Sequence, residues 1–354
     1  MPNPRLLINL AAIAGNAAEV VRRGRARGVE IAGVTKVCCG DPSVAKALLA
    51  GGVSMLADSR LENLERLRRA GLNQVPFLLL RLPMLSRMAE TLELADVVLV
   101  SEPVSLKGLS GFHAAKRCQA ILMVDLGDLR EGLWPDRIME TATAAVAMGA
   151  DLAGLGTNLT CYGGVKPTVG NLTQLTSLAE MARVATGLPL PIVSGGNTSS
   201  LPLLWDETLP RGISHLRVGE GIMLGVETLL RRPLPGLRQD AFRLTAEVIE
   251  VQRKPSLPIG EICQDAFGNT PEFVDRGWGS RAILALGRQD CVPEGLAPES
   301  ADLEVLGASS DHLILWDEAG LAVGDEVAFT LSYGSLLAAM TSPYVEKEYI
   351  GALA

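Results

Sequence analysis

The chain reads as an α/β protein: a parallel (β/α)8 barrel followed by a small, mostly antiparallel β domain. Three observations predict this. Eight short apolar runs alternate with helical segments between residues 29 and 219, and none is long enough to hold two strands. Polar and glycine-rich clusters follow these runs, as expected if one end of a barrel gathers the chemistry. Beyond Arg231-Arg232-Pro233-Leu234-Pro235-Gly236 the alternation gives way to short runs separated by turn residues. The expected domains are 11–235 for the barrel and 236–354 for the β domain, with an N-terminal strand within 1–10 joining the β domain's sheet.

In chain order, the segment 5–13 has a faint leader-like character, but Asn9 and Asn16 interrupt it and helical spacing continues past them, so a strand followed by a helix is expected. The first barrel run is 29–37. Asp41 is a good N-cap and Pro42 suits a first turn, so a helix is expected over 42–50, stopped by Gly51-Gly52. The next strands are expected at 53–59, 75–81, 97–101, 120–125, 152–157, 191–194 and 215–219. Between them lie helices at 60–70, with Leu61, Leu64 and Leu67 on one face, at 86–94, onward from 101 to Cys118, from Pro135 to near Gly149, and at 171–185. In the β domain, 244–251 alternates, and 281–286, 313–316 and 327–331 are short apolar runs.

Composition narrows the function. Hydrophobic residues make up 48% of 354 and charged residues 20%, which allows a large core and argues against disorder. A net charge of −8 disfavours a nucleic-acid partner, and no apolar run is long enough to span a membrane. The six cysteines lack a regular spacing, which predicts reduced thiols and a cytoplasmic location. With only three histidines and no pair at ligand spacing, no metal site is expected.

Lys36 is the first candidate for chemistry. At the end of a buried strand its ammonium would be costly to desolvate, which would lower its pKa and free the amine. Two roles fit: a Schiff base with a cofactor or substrate aldehyde, or an ion pair with a phosphate. Ser194-Gly195-Gly196-Asn197-Thr198-Ser199-Ser200 follows the seventh barrel strand and opens a helix. Its N–H groups and the hydroxyls of Thr198, Ser199 and Ser200 suit an anion. Gly219-Glu220-Gly221, after the eighth strand, offers a second set of N–H donors, and barrels commonly bind phosphate at this pair of strands. Arg217 lies within a β-run between Leu216 and Val218, so it should point inside the barrel mouth, where it needs an acceptor. Arg130, in Asp125-Leu126-Gly127-Asp128-Leu129-Arg130-Glu131-Gly132, could hold a carboxylate or a cofactor oxygen.

Taken together, Thr35-Lys36, Ala57-Asp58-Ser59-Arg60, the segment Val124 to Gly132, Ser194-Gly195-Gly196-Asn197 and Arg217-Val218-Gly219 resemble the alanine-racemase-like enzymes that use pyridoxal 5′-phosphate (PLP). The nearest likeness is to the ornithine-racemase branch of predicted amino-acid racemases, and it covers nearly the whole chain. The resemblance implies that Lys36 is the Schiff-base lysine and a catalytic residue. It sets Arg217 against the pyridine nitrogen and Arg130 near the phenolate oxygen and the substrate carboxylate. Asn158 falls where alanine racemases carry a His against the ring. Asn197, Thr198, Ser199, Gly219 and Glu220 complete the cofactor-binding candidates, with Thr198 on the phosphate-binding Ser.

Departures from the family pattern accompany the likeness. The family's phosphate-binding Tyr falls on Gly40. The catalytic Tyr of its second domain falls by register on Asp265, with Cys263 as the rival base. Burial within a mostly apolar segment would raise the Asp265 carboxyl pKa to a useful value. Ser310 and Asp311 match a pair that closes the substrate site across a dimer, and Tyr344 is a further substrate-site candidate. The implied activity is racemisation of an amino acid, with a basic one such as ornithine or lysine expected, by two-base α-proton abstraction in a homodimer with shared sites. The alternatives are a racemase of small neutral amino acids, an aldolase or dehydratase of the same fold, and a non-catalytic PLP carrier. Low histidine content argues against the second, which usually needs a metal. The added β domain argues against the third, which resembles the barrel alone.

Overall fold

The computed structural model describes residues 4–111 and 118–352. It divides into two compact units: Leu10–Gln239, and Asp240–Gly351 together with the strand β1 (Arg5–Asn9).

The first unit is a closed barrel of eight parallel strands in sequence order. It opens with helix α1 (Leu10–Ala26) and strand β2 (Glu30–Val34), followed by α2 (Pro42–Ala50), β3 (Met55–Asp58), α3 (Leu61–Arg69), β4 (Phe77–Leu79), α4 (Met88–Leu94) and β5 (Val97–Val100). It continues with α5 (Pro103–Gly111), β6 (Gln119–Met123), α6 (Ile138–Ala147), β7 (Leu152–Gly156), α7 (Val169–Thr186), β8 (Ile192–Ser194), α8 (Leu201–Trp205), β9 (His215–Val218) and α9 (Glu220–Leu224). The expected helix onward to Cys118 is present to Gly111, and its remainder lies outside the described residues.

The reason these runs become strands is local. Parallel barrel strands are covered on both faces, so they read as continuous apolar stretches. Val97 to Val100 is buried at every position. Alternate residues point inward, and Ala32 with Val34, Met55 with Ala57, Val97 with Leu99, and Ile121 with Met123 form the interior cluster. Truncating one of them, such as Leu99, to Ala should cost about 2–5 kcal/mol. Asp41 caps α2 as expected, its carboxylate accepting from Ser43 N and Val44 N at 2.9 Å. The first barrel strand is shorter than its apolar run: β2 stops at Val34, and Lys36–Cys38 form a turn of 3-10 helix instead.

The second unit is an eight-stranded sheet built on the long strand β10 (Phe242–Pro255). Beside it run β11 (Trp278–Leu284), β12 (Leu296–Pro298), β13 (Leu303–Ala308), β14 (Leu313–Asp317), β15 (Glu326–Leu331) and β16 (Glu346–Ile350). The order is β12-β15-β10-β11-β14-β13, all antiparallel. Strand β1 pairs antiparallel with β10 and parallel with β16. A register shift between Val248 and Glu250 lets β10 serve two sets of neighbours, β1 and β15 at its start and β11 beyond. Strands β12, β13 and β16 and helix α10 (Tyr333–Thr341) were not expected from sequence. β12 has only three residues, and β16, Glu346-Lys347-Glu348-Tyr349-Ile350, carries the charges of a protected edge.

Candidate active site

The barrel mouth is assembled from the loops that follow β2, β3, β6, β7, β8 and β9. Thr35, fully buried, donates from its hydroxyl to Asp58 Oδ2 at 2.7 Å. Asp58 also accepts from Asn63 Nδ2 at 2.9 Å and from Arg60 N at 3.0 Å. Burial raises the Asp58 pKa against the pull of these donors. The pair locks the backbone on which Lys36 stands. Lys36 itself is exposed, contrary to the expected burial, because the strand has already ended and the 3-10 turn carries the side chain outward. Burial raises the pKa values of Cys161 and Glu220; Arg130 opposes it at the first and Arg231 at the second, and Lys36 opposes it at both, so Lys36 lies within electrostatic reach of the loops after β7 and β9.

Gly40, at the place of the family's phosphate-binding Tyr, has φ +62. A Cβ there would lie 2.7 Å from the Asn63 Cβ. The turn after Lys36 therefore packs directly on α3, and no side chain can occupy that position.

Arg217, 2% exposed, points into the barrel as expected. Its Nη2 donates to Thr157 O at 2.7 Å and to Asn158 Oδ1 at 2.6 Å, and its Nη1 to Ser194 Oγ. These acceptors stand at the ends of neighbouring strands, and all are neutral. A guanidinium has five N–H donors and these contacts engage three. Burial, together with nearby Arg130, pushes the Arg217 pKa down to about 10, against the pull of Glu131; it remains charged at neutral pH. Ser194 Oγ lies 2.8 Å from His215 Nδ1. Ser194 Oγ accepts from Arg217 and so joins the guanidinium to the His215 ring. Burial, with Arg217 adding to it, pushes the His215 pKa down to about 3. Among the described residues its Nε2 has no partner.

The loop after β6 is shaped by three acids. Asp125 Oδ1 accepts from Gly127 N at 2.8 Å, which folds the loop back. Gly132, at φ +131, lets the chain pass where a Cβ would meet Asp125 N at 2.4 Å. Asp128, 1% exposed, accepts from Cys161 N, Tyr162 N and Val165 N at 2.9–3.0 Å, which ties this loop to the one after β7. Burial alone would raise the Asp128 pKa, but those N–H donors outweigh it and hold it low. The third acid, Glu131, pairs with Arg130, Oε1 accepting from Nη2 at 2.8 Å and Oε2 from Nε. Glu131 Oε1 also accepts from Asn158 Nδ2.

The loop after β8 differs from the expectation in what its hydroxyls do. Thr198 Oγ1 accepts from Gly221 N at 3.1 Å, joining the loops after β8 and β9. Ser200 donates back to Gly195 O at 2.7 Å, and Ser199 towards Leu159 O at 3.4 Å. Asn197 caps the turn through Ser199 N at 2.8 Å and donates to Leu159 O at 3.0 Å. These side chains hold the two loops together, and the N–H groups of the first turns at Thr198 and Glu220 are the donors left to face an anion. The Glu220 carboxylate itself pairs with Arg231.

The remaining candidates all lie in the β unit. Asp265 and Cys263 sit in an exposed loop without regular structure. Asp265 Oδ1 accepts from Phe267 N at 2.8 Å and Asn269 N at 2.9 Å, and these N–H donors lower its pKa. The expected burial, with a raised pKa, is thus not provided: the flanking apolar residues turn outward and the carboxylate closes its own turn. Phe267 lies under the Arg288 guanidinium at 5.1 Å. Gln289 Nε2 donates to Asp311 Oδ1 at 2.6 Å, and Ser310 Oγ to Asp311 Oδ2 at 3.0 Å. Exposed Tyr344 follows Ser342, whose hydroxyl donates to Asp290 Oδ1 at 3.0 Å.

Sequence reasoning overlooked Glu131, Thr157, Ser194 and His215 as site residues. One signal was available: His215 and Arg217 are two apart on a strand and share its inner face.

A barrel whose mouth sets an exposed amine in the same ring as a buried guanidinium, in one chain with a β-sheet unit, defines a barrel enzyme equipped for carbonyl chemistry. The chain belongs to the alanine racemase family, whose N-terminal-domain model matches residues 8–226. It is 44% identical over 353 residues to the lysine racemase of Thermotoga maritima, covering 99% of both chains. It is 40% identical over 356 residues to the ornithine racemase of Acetoanaerobium sticklandii, covering 98% of this chain and 99% of that one. Among solved structures, the alanine racemase of Bartonella henselae with covalently bound pyridoxal phosphate shares the fold. The TM-score is 0.74 at 16% identity, over 99% of this chain and 100% of that one.

Proposed function

We propose that this chain is a PLP-dependent racemase that interconverts the enantiomers of lysine and ornithine. The observation that carries the reading is the ring that holds exposed Lys36 together with buried Arg217, whose direct partners are all neutral. The full-length likeness to a lysine and an ornithine racemase supports the choice of substrate.

The residues present fit PLP. Lys36 supplies the amine that would carry the cofactor. Arg217 retains N–H donors for a ring nitrogen, and Asn158, fixed between Arg217 and Glu131, would lie against the ring. Thr198 binds the two loops, held in shape by Asn197, Ser199 and Gly219, whose remaining first-turn N–H groups at Thr198 and Glu220 would hold the phosphate. With no room for a side chain at Gly40, those N–H groups carry the phosphate without a Tyr. PLP, when bound, supplies a sink for the electron pair left on Cα when its proton is removed.

The chain's own groups decide the course of the reaction. A guanidinium with a pKa of about 10 stays protonated, so Arg217 would donate to the ring nitrogen and would not give up a proton to it. That would keep the sink weak, which favours return of the proton over transamination. Arg130 orients the substrate carboxylate. The Lys36 amine would move the proton on one face of Cα. Asp265 serves the other face, with Cys263 as the rival. Held ionised by its backbone donors, Asp265 enters as the base. Ser310, Asp311 and Tyr344 would contact the substrate, Asp311 offering a carboxylate to a cationic side chain. These last residues belong to the β unit, and on this reading the active species is a homodimer in which each β unit completes its partner's barrel mouth.

The test is to incubate pure PLP-loaded protein separately with L-lysine, L-ornithine and L-alanine and follow the enantiomer ratio by chiral chromatography. Lysine and ornithine should racemise with a much higher kcat/KM than alanine. Faster turnover of alanine would assign the enzyme to small neutral amino acids.

A further inference from the structure

The buried guanidinium of Arg217 has no carboxylate of its own. Its three acceptors are a backbone carbonyl, a hydroxyl and the amide oxygen of Asn158. One bond further out stands Glu131, whose carboxylate binds both Arg130 and the Asn158 amide nitrogen. The mouth therefore contains an unbroken line: Arg130, Glu131, Asn158, Arg217, Ser194, His215.

We propose that Glu131 is a positioning residue that orients the Asn158 amide and so keeps an acceptor, not a donor, against Arg217. The inference rests on the reading of Arg217 as the group that faces the cofactor nitrogen. An Asn side chain carries one acceptor and one donor end, and nothing in its own shape decides which way it faces. An ionised carboxylate only accepts, so Glu131 forces the Asn158 nitrogen towards itself and the oxygen towards Arg217. The reversed amide would set NH2 against guanidinium and oxygen against carboxylate, losing two charge-assisted bonds at once. The same carboxylate supports the charge on Arg217 across Asn158 and holds Arg130 in place. One acid thus aligns the group facing the cofactor ring and the group facing the substrate carboxylate.

The arrangement can be tested by moving the charge one residue along the line. Wild type, E131Q, N158D and the double variant E131Q/N158D are titrated with PLP, and the visible absorbance of the bound cofactor is followed against pH. Melting temperatures of the cofactor-free proteins serve as the control for folding. In E131Q the Asn158 amide is oriented from the Arg217 side alone, and PLP affinity should fall about tenfold, the loss of one charge-assisted hydrogen bond. N158D places two carboxylates in contact and should also bind PLP less well. In the double variant the carboxylate sits directly on Arg217, and the amide introduced at position 131 can donate to it. PLP affinity and the pH response of the spectrum should return towards wild type, while the KM for lysine stays raised because Arg130 has lost its partner. Wild-type affinity and an unchanged pH response in E131Q would overturn the proposal. So would a double variant no better than E131Q, which would indicate loop damage and not lost orientation. A wild-type protein that takes up no PLP would instead bring down the reading of the site, and this inference with it.

Discussion

Asn158 Oδ1 accepts a hydrogen bond from Arg217 Nη2 at 2.6 Å, and both side chains are buried. The pair joins β7's outgoing loop to β9 across the intervening strand. It gives a charged group in the barrel interior a neutral, directional partner. Removing a charge from water costs several kcal/mol, so such a group persists only where acceptors surround it. On the proposed function, replacing Arg217 by Gln removes a permanent charge from beside the cofactor's ring nitrogen. Racemisation of lysine should fall by about 10²–10⁴-fold, the range for loss of a preorganised electrostatic group. Chiral chromatography reads the loss, and formation of keto acid should rise as a fraction of turnover. Unchanged racemisation in Arg217→Gln would remove the arginine from the mechanism.

On the proposed function, Lys36 is the amine that carries the cofactor. Borohydride reduction of the PLP-loaded protein, followed by peptide mapping, should place the label on the peptide containing Lys36. Lys36→Ala should lose the label and at least about 10²–10⁴-fold of the activity. A label on another lysine would contradict the assignment.

His215 makes the fold acid-sensitive. In the unfolded chain its imidazole takes a proton below about pH 6.5. In the folded chain it does so only near pH 3. As acid is added the unfolded state binds the proton first, so stability falls from about pH 6.5 towards pH 3, by up to about 1.4 kcal/mol per pH unit. In His215→Asn, whose side chain does not titrate, the melting temperature should depend less steeply on pH between 6.5 and 4. Parallel curves for variant and wild type would show that another group dominates.

The dimer assignment predicts complementation. A Lys36→Ala chain and an Asp265→Asn chain, each inactive alone, should recover part of the activity when combined in proven heterodimers, because one hybrid mouth then has both groups. If Asp265→Asn racemises normally and Cys263→Ala does not, the second base is Cys263.

The barrel was legible because its strands are covered on both faces, so runs such as 97–101 and 120–125 stand out as uninterrupted apolar segments. Lys36 and Arg217 could be found for the same reason, as charges placed where such runs end or turn inward. The antiparallel unit was less legible. Its strand β12 has only three residues, and its edge strand β16 is charged in the way that protects an edge. Glu131 was hidden among the charges of its own loop: that it joins Arg130 to Asn158 depends on the loop closure at Gly132, a spatial fact absent from local pattern. Asp265 shows the converse. Its apolar neighbours suggested burial, but neighbours in sequence turn to either side of a loop, and here they turn outward while backbone N–H groups hold the carboxylate ionised.

On the proposed function, the proton on Cα of a basic amino acid is removed from one face and returned to the other. The most direct measurement incubates the PLP-loaded wild-type protein in deuterated water with L-lysine and, separately, with D-lysine. From either starting enantiomer the opposite one should appear carrying deuterium at Cα, and both reactions should converge on equal amounts of the two. Lysine that stays optically pure with PLP bound, or that is consumed to a keto acid or an amine, would contradict the account.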